Sequence, residues 1–430
     1  MKIIGLETVR LPHLPNLLFV HVSTDTGLVG LGETYYGAGP AEAVVHEELA
    51  PRLLGLDLGD SARDIARHAG GPAAYVGYSG SGAETRARSA VDLALWDIAA
   101  QHAGVPLADL LGRRRDSLRV YNTCAGPLYM RQTSGQVSSN WGLTTADAPV
   151  QPYEDLDAFL HRPEQLARDL LAQGITAMKV WPFDQLAEQT SGRSIDAAGL
   201  TAGCEPLRRI RAEVGDAIDI AVELHALWSL DPARRILDAI AEFAPFWAED
   251  ALRPDDLKGL RTLRAGSPIP LAGGETLGGA RAHRNLLDAD GIDVSIVDLG
   301  WVGGISETLE LIPAAQDAGR PLTLHDCSGP VVFAASVHLA MHLPDNPIQE
   351  FTRSYYHGWW RDIVDGIPPV RIGTVAPAPR SGHGISLRPD VLAAPTTRIT
   401  RQGRCLTAVS RSSATDDVPP RPSAATANAG

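Results

Sequence analysis

The sequence predicts an α/β protein: a closed parallel barrel of eight strands, preceded by a smaller α+β domain. From about Leu118 onward, short apolar runs alternate with amphipathic helical segments, the pattern of a parallel sheet with crossover helices. The ionisable groups that end the later runs recur at intervals of 23 to 27 residues, about the length of one strand, one helix and two short loops. Every run after the first delivers an ionisable group at its C-terminal end, in a chain that is only 21% charged. Eight such units most economically close into a barrel, and chemistry then belongs at the strand C-termini. A doubly wound open sheet is the competing arrangement, but no GxGxxG opens the series.

The chain of 430 residues is long for a barrel of ~250 residues alone, which leaves room for a second domain. A net charge of -13 and a pI near 5.4 have the wrong sign for a phosphate-backbone binder, so no nucleic-acid partner is expected. Apolar stretches are broken well before ~18 residues, which predicts no membrane span. Met1-Lys2-Ile3-Ile4 leads into alternating residues without the apolar core of a signal peptide. Cys124, Cys204, Cys327 and Cys405 stand far apart without a CxxC pair. They fit free thiols in a reducing compartment, and the expected location is cytoplasmic. Of 38 basic residues only Lys2, Lys179 and Lys258 are lysine, so a lysine at a strand end is a marked choice over arginine.

Residues 1–115 form the α+β domain. Met1–Leu11 alternates, and Leu17–Ser23 and Leu28–Thr34 flank Thr24-Asp25-Thr26-Gly27, a hairpin signal. Helical stretches follow at about Ala41–Leu49 and Ala83–Ala103, the second stopped by Gly104-Val105-Pro106. Gly70-Gly71-Pro72 and Ser79-Gly80-Ser81-Gly82 flank a loop; no strand feeds it and no GK[ST] follows, which argues against a phosphate cradle.

The barrel occupies 116–350. Its expected strands are Leu118–Tyr121, Ala177–Val180, Ile218–Val222, Phe246–Ala248, Ile269–Ala272, Val294–Val297, Leu322–Leu324 and Pro347–Gln349. Amphipathic segments at Pro163–Gln173, Pro206–Glu213, Pro232–Glu242 and Ser306–Ala318 supply crossover helices. Residues 125–160, long and polar, form a loop over one barrel mouth. Residues 351–395 follow the barrel, and from about Thr396 an aperiodic Ala/Thr/Ser/Pro/Arg-rich stretch predicts a disordered tail.

At the strand exits stand Lys179, Glu223 with His225, Glu249, Glu275, Asp298, His325 and Glu350. Glu223, Glu249 and Glu275 are spaced 26 and 26 residues apart. On neighbouring strands ~4.8 Å apart they converge on one point, where three anions need a cation. Oxygen donors without thiols suit Mg²⁺; private pairing of each glutamate with an arginine is the bland alternative. His225 follows Glu223 by two, so along a strand both face one way. Asp298 and His325 leave successive strands, where the carboxylate can orient the imidazole and raise its basicity.

Taken together, Met178-Lys179-Val180-Trp181-Pro182-Phe183, Val222-Glu223-Leu224-His225, Ala248-Glu249-Asp250, Ala272-Gly273-Gly274-Glu275, Asp298 to Ile305, His325-Asp326 and Gln349-Glu350 resemble the enolase superfamily. Within it they resemble the mandelate racemase group of acid-sugar dehydratases, over about residues 1–395. The resemblance implies a modified (β/α)7β TIM-like barrel under a capping domain made of residues 1–115 and 351–395. It implies Mg²⁺ on Glu223, Glu249 and Glu275, a substrate carboxylate held by the metal and Lys179, Glu350 on the enolate oxygen, and the Asp298–His325 dyad as base. Trp181, Asn122 and Tyr36 complete the candidate site as substrate contacts, and a homo-oligomer is usual in the family. Many members carry a second lysine where Trp181 stands, so two-base racemisation is disfavoured. One dyad with a histidine two after the first ligand resembles the galactonate dehydratase type, where that histidine protonates the departing hydroxyl. The expected reaction is β-elimination from an aldonate or aldarate to a 2-keto-3-deoxy acid. Racemisation, epimerisation or lactone cycloisomerisation through the same intermediate is the alternative. A Schiff-base aldolase on Lys179 and a non-catalytic binding barrel are weaker readings.

Overall fold

The computed structural model describes residues 1–59, 80–131, 133–143, 153–345 and 347–407. Residues 70–79 of the expected glycine-flanked loop lie outside these. Strands β1 (Ile3–Arg10), β2 (Leu17–Thr24) and β3 (Val29–Tyr35) form an antiparallel meander. The helix Ala83–Ala103 lies across β3 so closely that a Cβ at Gly32 would stand 1.7 Å from the Ala90 carbonyl oxygen. Only glycine permits that approach.

A fourth strand, Arg398–Gly403, pairs antiparallel with β1. This corrects the expectation of disorder from Thr396, and it extends the capping sheet past residue 395. The free edge of β1 offers backbone donors and acceptors that any sequence can pair with, and Arg401 Nε donates to the buried Glu7 Oε2 at 2.6 Å. Residues 408–430 lie outside the described residues.

The barrel strands are β4 (Leu118–Thr123), β5 (Ala177–Val180), β6 (Asp219–Glu223), β7 (Trp247–Glu249), β8 (Leu271–Gly273), β9 (Val294–Val297), β10 (Leu322–Leu324) and β11 (Gln349–Phe351). They hydrogen-bond in parallel from β4 through β10, and β11 pairs with β4 on the other side. Between β10 and β11 the circle is joined by side chain to backbone, Thr323 Oγ1 donating to the Ile348 oxygen at 2.6 Å. Seven crossovers connect eight strands, which is the (β/α)7β arrangement.

Three helical expectations shift. The segment begun at Pro206 is the second half of a helix Ala197–Val214, whose start is capped by Asp196 accepting from the Gly199 amide. The 125–160 loop ends in a helix, Asp155–His161. A short helix Asp184–Thr190 precedes Ala197–Val214 in the same crossover, and Leu257–Gly266, Gly279–Asp288 and Pro330–Ala340 fill the remaining crossovers.

Inside the barrel a small core of Tyr121, Ala177, Ala221, Trp247, Ala272 and Ile296 forms one layer. Alternation along each strand therefore sends Thr123, Lys179, Glu223 and Glu249 inward just above it. The cap sits at that end. Thr34 Oγ1 donates to the Gly300 oxygen at 2.7 Å, and Trp301 Nε1 donates to the Tyr35 oxygen at 3.0 Å. Glu33, fully buried, accepts from the amides of Val331 (3.1 Å) and Val332 (3.2 Å), where the helix Pro330–Ala340 begins.

Burial raises the Glu33 carboxyl to about 8 against those two donors. The folded state thus keeps a proton that the unfolded chain releases near its ordinary value of 4.5. That contribution to stability is complete below the unfolded value and disappears as pH climbs through the folded one. Thermal melts from pH 5 to 8.5 should show the neutral variant Glu33→Gln gaining on wild type as pH rises. A constant difference between the two curves would contradict this assignment.

Candidate active site

Lys179 lies within β5, and Glu223 and Glu249 end β6 and β7 directly opposite one another in register. Glu275 does not share that register. Glu249 pairs beside Ala272, so Glu275 comes three residues further on, beyond the end of β8. Gly274, at φ 112°, turns the chain back; a Cβ there would also meet the His283 ring at 3.1 Å and the Ile296 oxygen at 3.2 Å. The result is convergence all the same: one carboxylate oxygen from each of Glu223, Glu249 and Glu275 lies within 4.8 Å of the others, and all three are buried.

Lys179 Nζ stands 2.6 Å from Glu249, 2.9 Å from Glu350 and 3.2 Å from Glu223. Burial opposes its charge, but Glu249 and Glu350 overcome that and hold it protonated. Glu350 also accepts from Thr123 Oγ1 and from the Asp326 amide at 3.0 Å. Burial and then the Glu223 charge push Glu275 well above the carboxylate range. Burial likewise raises Glu249, with Glu223 and Glu350 adding to it against Lys179. Glu275 Oε2 makes no hydrogen bond. One ammonium does not neutralise this crowd, and a hard divalent cation fits both the oxygen donor set and the orphaned oxygen.

Two carboxylate–imidazole pairs flank the cluster. Asp298 and His325 leave β9 and β10, with His325 Nδ1 2.7 Å from Asp298 Oδ2 and its Nε2 3.5 Å from Glu275. His225 lies beyond the end of β6 at φ 47°. Strand alternation therefore does not orient it; a left-handed turn does. Its Nδ1 is 2.7 Å from Asp184 Oδ2 and 3.2 Å from Gln136 Nε2. His225 follows the third barrel strand and His325 the seventh, half the circle apart, so they approach from opposite sides.

Trp181 and Tyr36 line the same cavity. Asn122 does not. It alternates outward between Tyr121 and Thr123, donating to Asp155 Oδ2 at 2.9 Å and accepting from the Arg353 amide at 2.9 Å. Sequence reasoning missed Asp184, Gln136, Arg86 and Thr123. Asp184 carried a signal, since it sits five residues past Lys179 at the exit of β5. Gln136 and Arg86 reach the cavity from a loop and from the cap, and no local pattern marks them.

Residues 163–391 match the family described as Enolase C-terminal domain-like, and residues 8–112 match the mandelate racemase / muconate lactonizing enzyme N-terminal domain. The chain is 38% identical to an enolase of the mandelate racemase subgroup from Agrobacterium tumefaciens. That match covers 94% of this chain and 99% of the other, with a TM-score of 0.81. An L-talarate dehydratase from Polaromonas, solved with Mg and L-glucarate, is 27% identical over 94% and 99% with a TM-score of 0.72. A D-xylonate dehydratase from Haloferax volcanii is 26% identical over 88% of this chain and 84% of its own length.

The buried carboxylate cluster predicts a cation-dependent fold. A chelator should lower the melting temperature and an added divalent cation restore it, by about 2.7 kcal/mol of stability at a hundredfold excess over Kd. Glu275→Gln should blunt that response. A melt indifferent to chelator and cation in wild type would remove the cation site.

Proposed function

The chain belongs to the mandelate racemase / muconate lactonizing enzyme family of the enolase superfamily, and from that premise we propose a hydro-lyase that converts a sugar acid, aldonate or aldarate, to its 2-keto-3-deoxy acid. The observation that carries this reading is the pair of carboxylate–imidazole dyads on opposite sides of one carboxylate cluster. The similarity to sugar-acid dehydratases supports it. The oxygen donor set, with the Mg held by the L-talarate dehydratase structure, favours Mg²⁺ on Glu223, Glu249 and Glu275. When bound, the ion would supply positive charge to the substrate carboxylate.

A hydrogen α to a carboxylate is very weakly acidic, because its removal adds a second negative charge. Lys179, held between Glu249 and Glu350, places its ammonium where that charge grows and so favours the transition state over the ground state. With Nδ1–H donating a hydrogen bond to the Asp298 carboxylate, His325 has Nε2 free as the base that takes the C2 proton. His225, its Nδ1 anchored by Asp184, presents Nε2 as the acid. The C3–O bond breaks, the hydroxyl leaves with the His225 proton as water, and the enol relaxes to the keto acid. Base and acid on opposite sides suit an anti elimination.

The Asp184–His225 pair also favours a second reading, in which His225 returns a proton to the opposite face of C2 and the enzyme racemises or epimerises. Solvent deuterium in recovered substrate without keto acid would select that reading.

A panel of aldonates and aldarates should yield semicarbazide-reactive keto acid from at least one; none from any would refute dehydration. His325→Asn should lose roughly 10²–10⁴-fold in kcat while keeping its thermal response to Mg²⁺. His225→Asn should still exchange the C2 hydrogen with deuterated solvent while forming little keto acid. Loss of exchange together with elimination would remove His225 from the acid role.

A further inference from the structure

Arg86 is a cation in the cavity that the chemistry above does not use. It projects from the cap helix Ala83–Ala103 and lines the cavity with Lys179, Glu275 and His325. Its guanidinium carbon stands 5.9 Å from the centre of the Tyr36 ring and 5.5 Å from that of Trp301. The same indole lies 5.0 Å from the His325 ring, so guanidinium and imidazole pack on one shared side chain. Stacking on aromatic faces fixes the plane of the guanidinium without consuming its donors. Nε is buried and makes no hydrogen bond, and no carboxylate among the described residues stands at ion-pair distance from the group. Arg88, two residues along the same helix, is instead paired with Glu307 at 2.7 Å.

We propose that Arg86 receives the far carboxylate of a dicarboxylic sugar acid, which makes an aldarate rather than an aldonate the substrate; the proposal rests on the dehydratase reading above. The near carboxylate belongs at Lys179 and the glutamate cluster, and C2 belongs against His325. Five carbon–carbon bonds of ~1.5 Å place the far end of a six-carbon chain roughly 6 Å from the near one, within the cavity that Lys179 and Arg86 both line. A carboxylate there is bound bidentately with charge-assisted hydrogen bonds. The hydroxymethyl end of an aldonate instead leaves a half-buried guanidinium without its anion, a costly arrangement.

The test compares kcat/KM for galactarate and galactonate, and for glucarate and gluconate, with Mg²⁺ present. Wild type should favour the diacid of a reactive pair by roughly 10- to 100-fold. Arg86→Met, which keeps the stacking length without charge, should bring that ratio towards one, and Arg86→Lys should fall between. Melting curves with and without Mg²⁺ confirm that each variant is folded. A wild type that prefers the aldonate, or a ratio unchanged in Arg86→Met, overturns the assignment while dehydration stands. If no acid yields keto acid, the dehydratase reading fails instead. Arg86 is then judged by binding: in His325→Asn with Mg²⁺, equal thermal shifts from diacid and monoacid would overturn it, and a diacid preference abolished by Arg86→Met would sustain it.

Discussion

Charge crowding at one barrel mouth is the constraint from which the rest of the structure follows. Glu223, Glu249 and Glu350 all lie within 3.2 Å of the Lys179 ammonium, and Glu275 stands beside them with an oxygen that makes no hydrogen bond. In a buried setting such anions repel strongly, and the usual escape is protonation or a bound cation. The compact ammonium of lysine brings three rotatable donors to one point, where arginine would need room for a rigid planar fork. That explains a lysine here in a chain with only two others. The layer beneath is built partly from alanines, Ala177, Ala221 and Ala272, which leaves height for the charged side chains above.

The barrel supplies proton-handling groups, and the cap supplies the wall that faces them. The two are bound by polar contacts. Glu33 closes the start of the helix Pro330–Ala340, Asp92 accepts from the Ser306 amide at 3.1 Å, and Trp301 donates to the Tyr35 carbonyl. Trp301 therefore does two things: it anchors the cap, and its ring packs near both His325 and Arg86. Residues that select a substrate can vary on cap and loop while the rigid strand ends hold the chemistry in place.

Much of the site was legible because a βα repeat places residues by count. The spacing from Glu223 to Glu249 translated directly into a paired register. The same spacing to Glu275 did not, and only the left-handed Gly274 restored convergence. For His225 the sequence argument reached the right cavity by the wrong route, since a turn and not the pleat orients the ring. Asn122 failed because its strand faces outward at that position, one residue from Thr123, which faces in.

The chain's own periodicity determined the barrel, the order of its strands and the ionisable group at each exit, because hydrophobic period and strand ends are local properties. Contacts between distant segments were decided only in three dimensions. Asp184 meets His225 across 41 residues, Glu33 meets Val331 across 298, and Arg398–Gly403 completes the sheet begun at Ile3. Such pairings depend on which surfaces packing brings together, and a linear pattern carries no record of that.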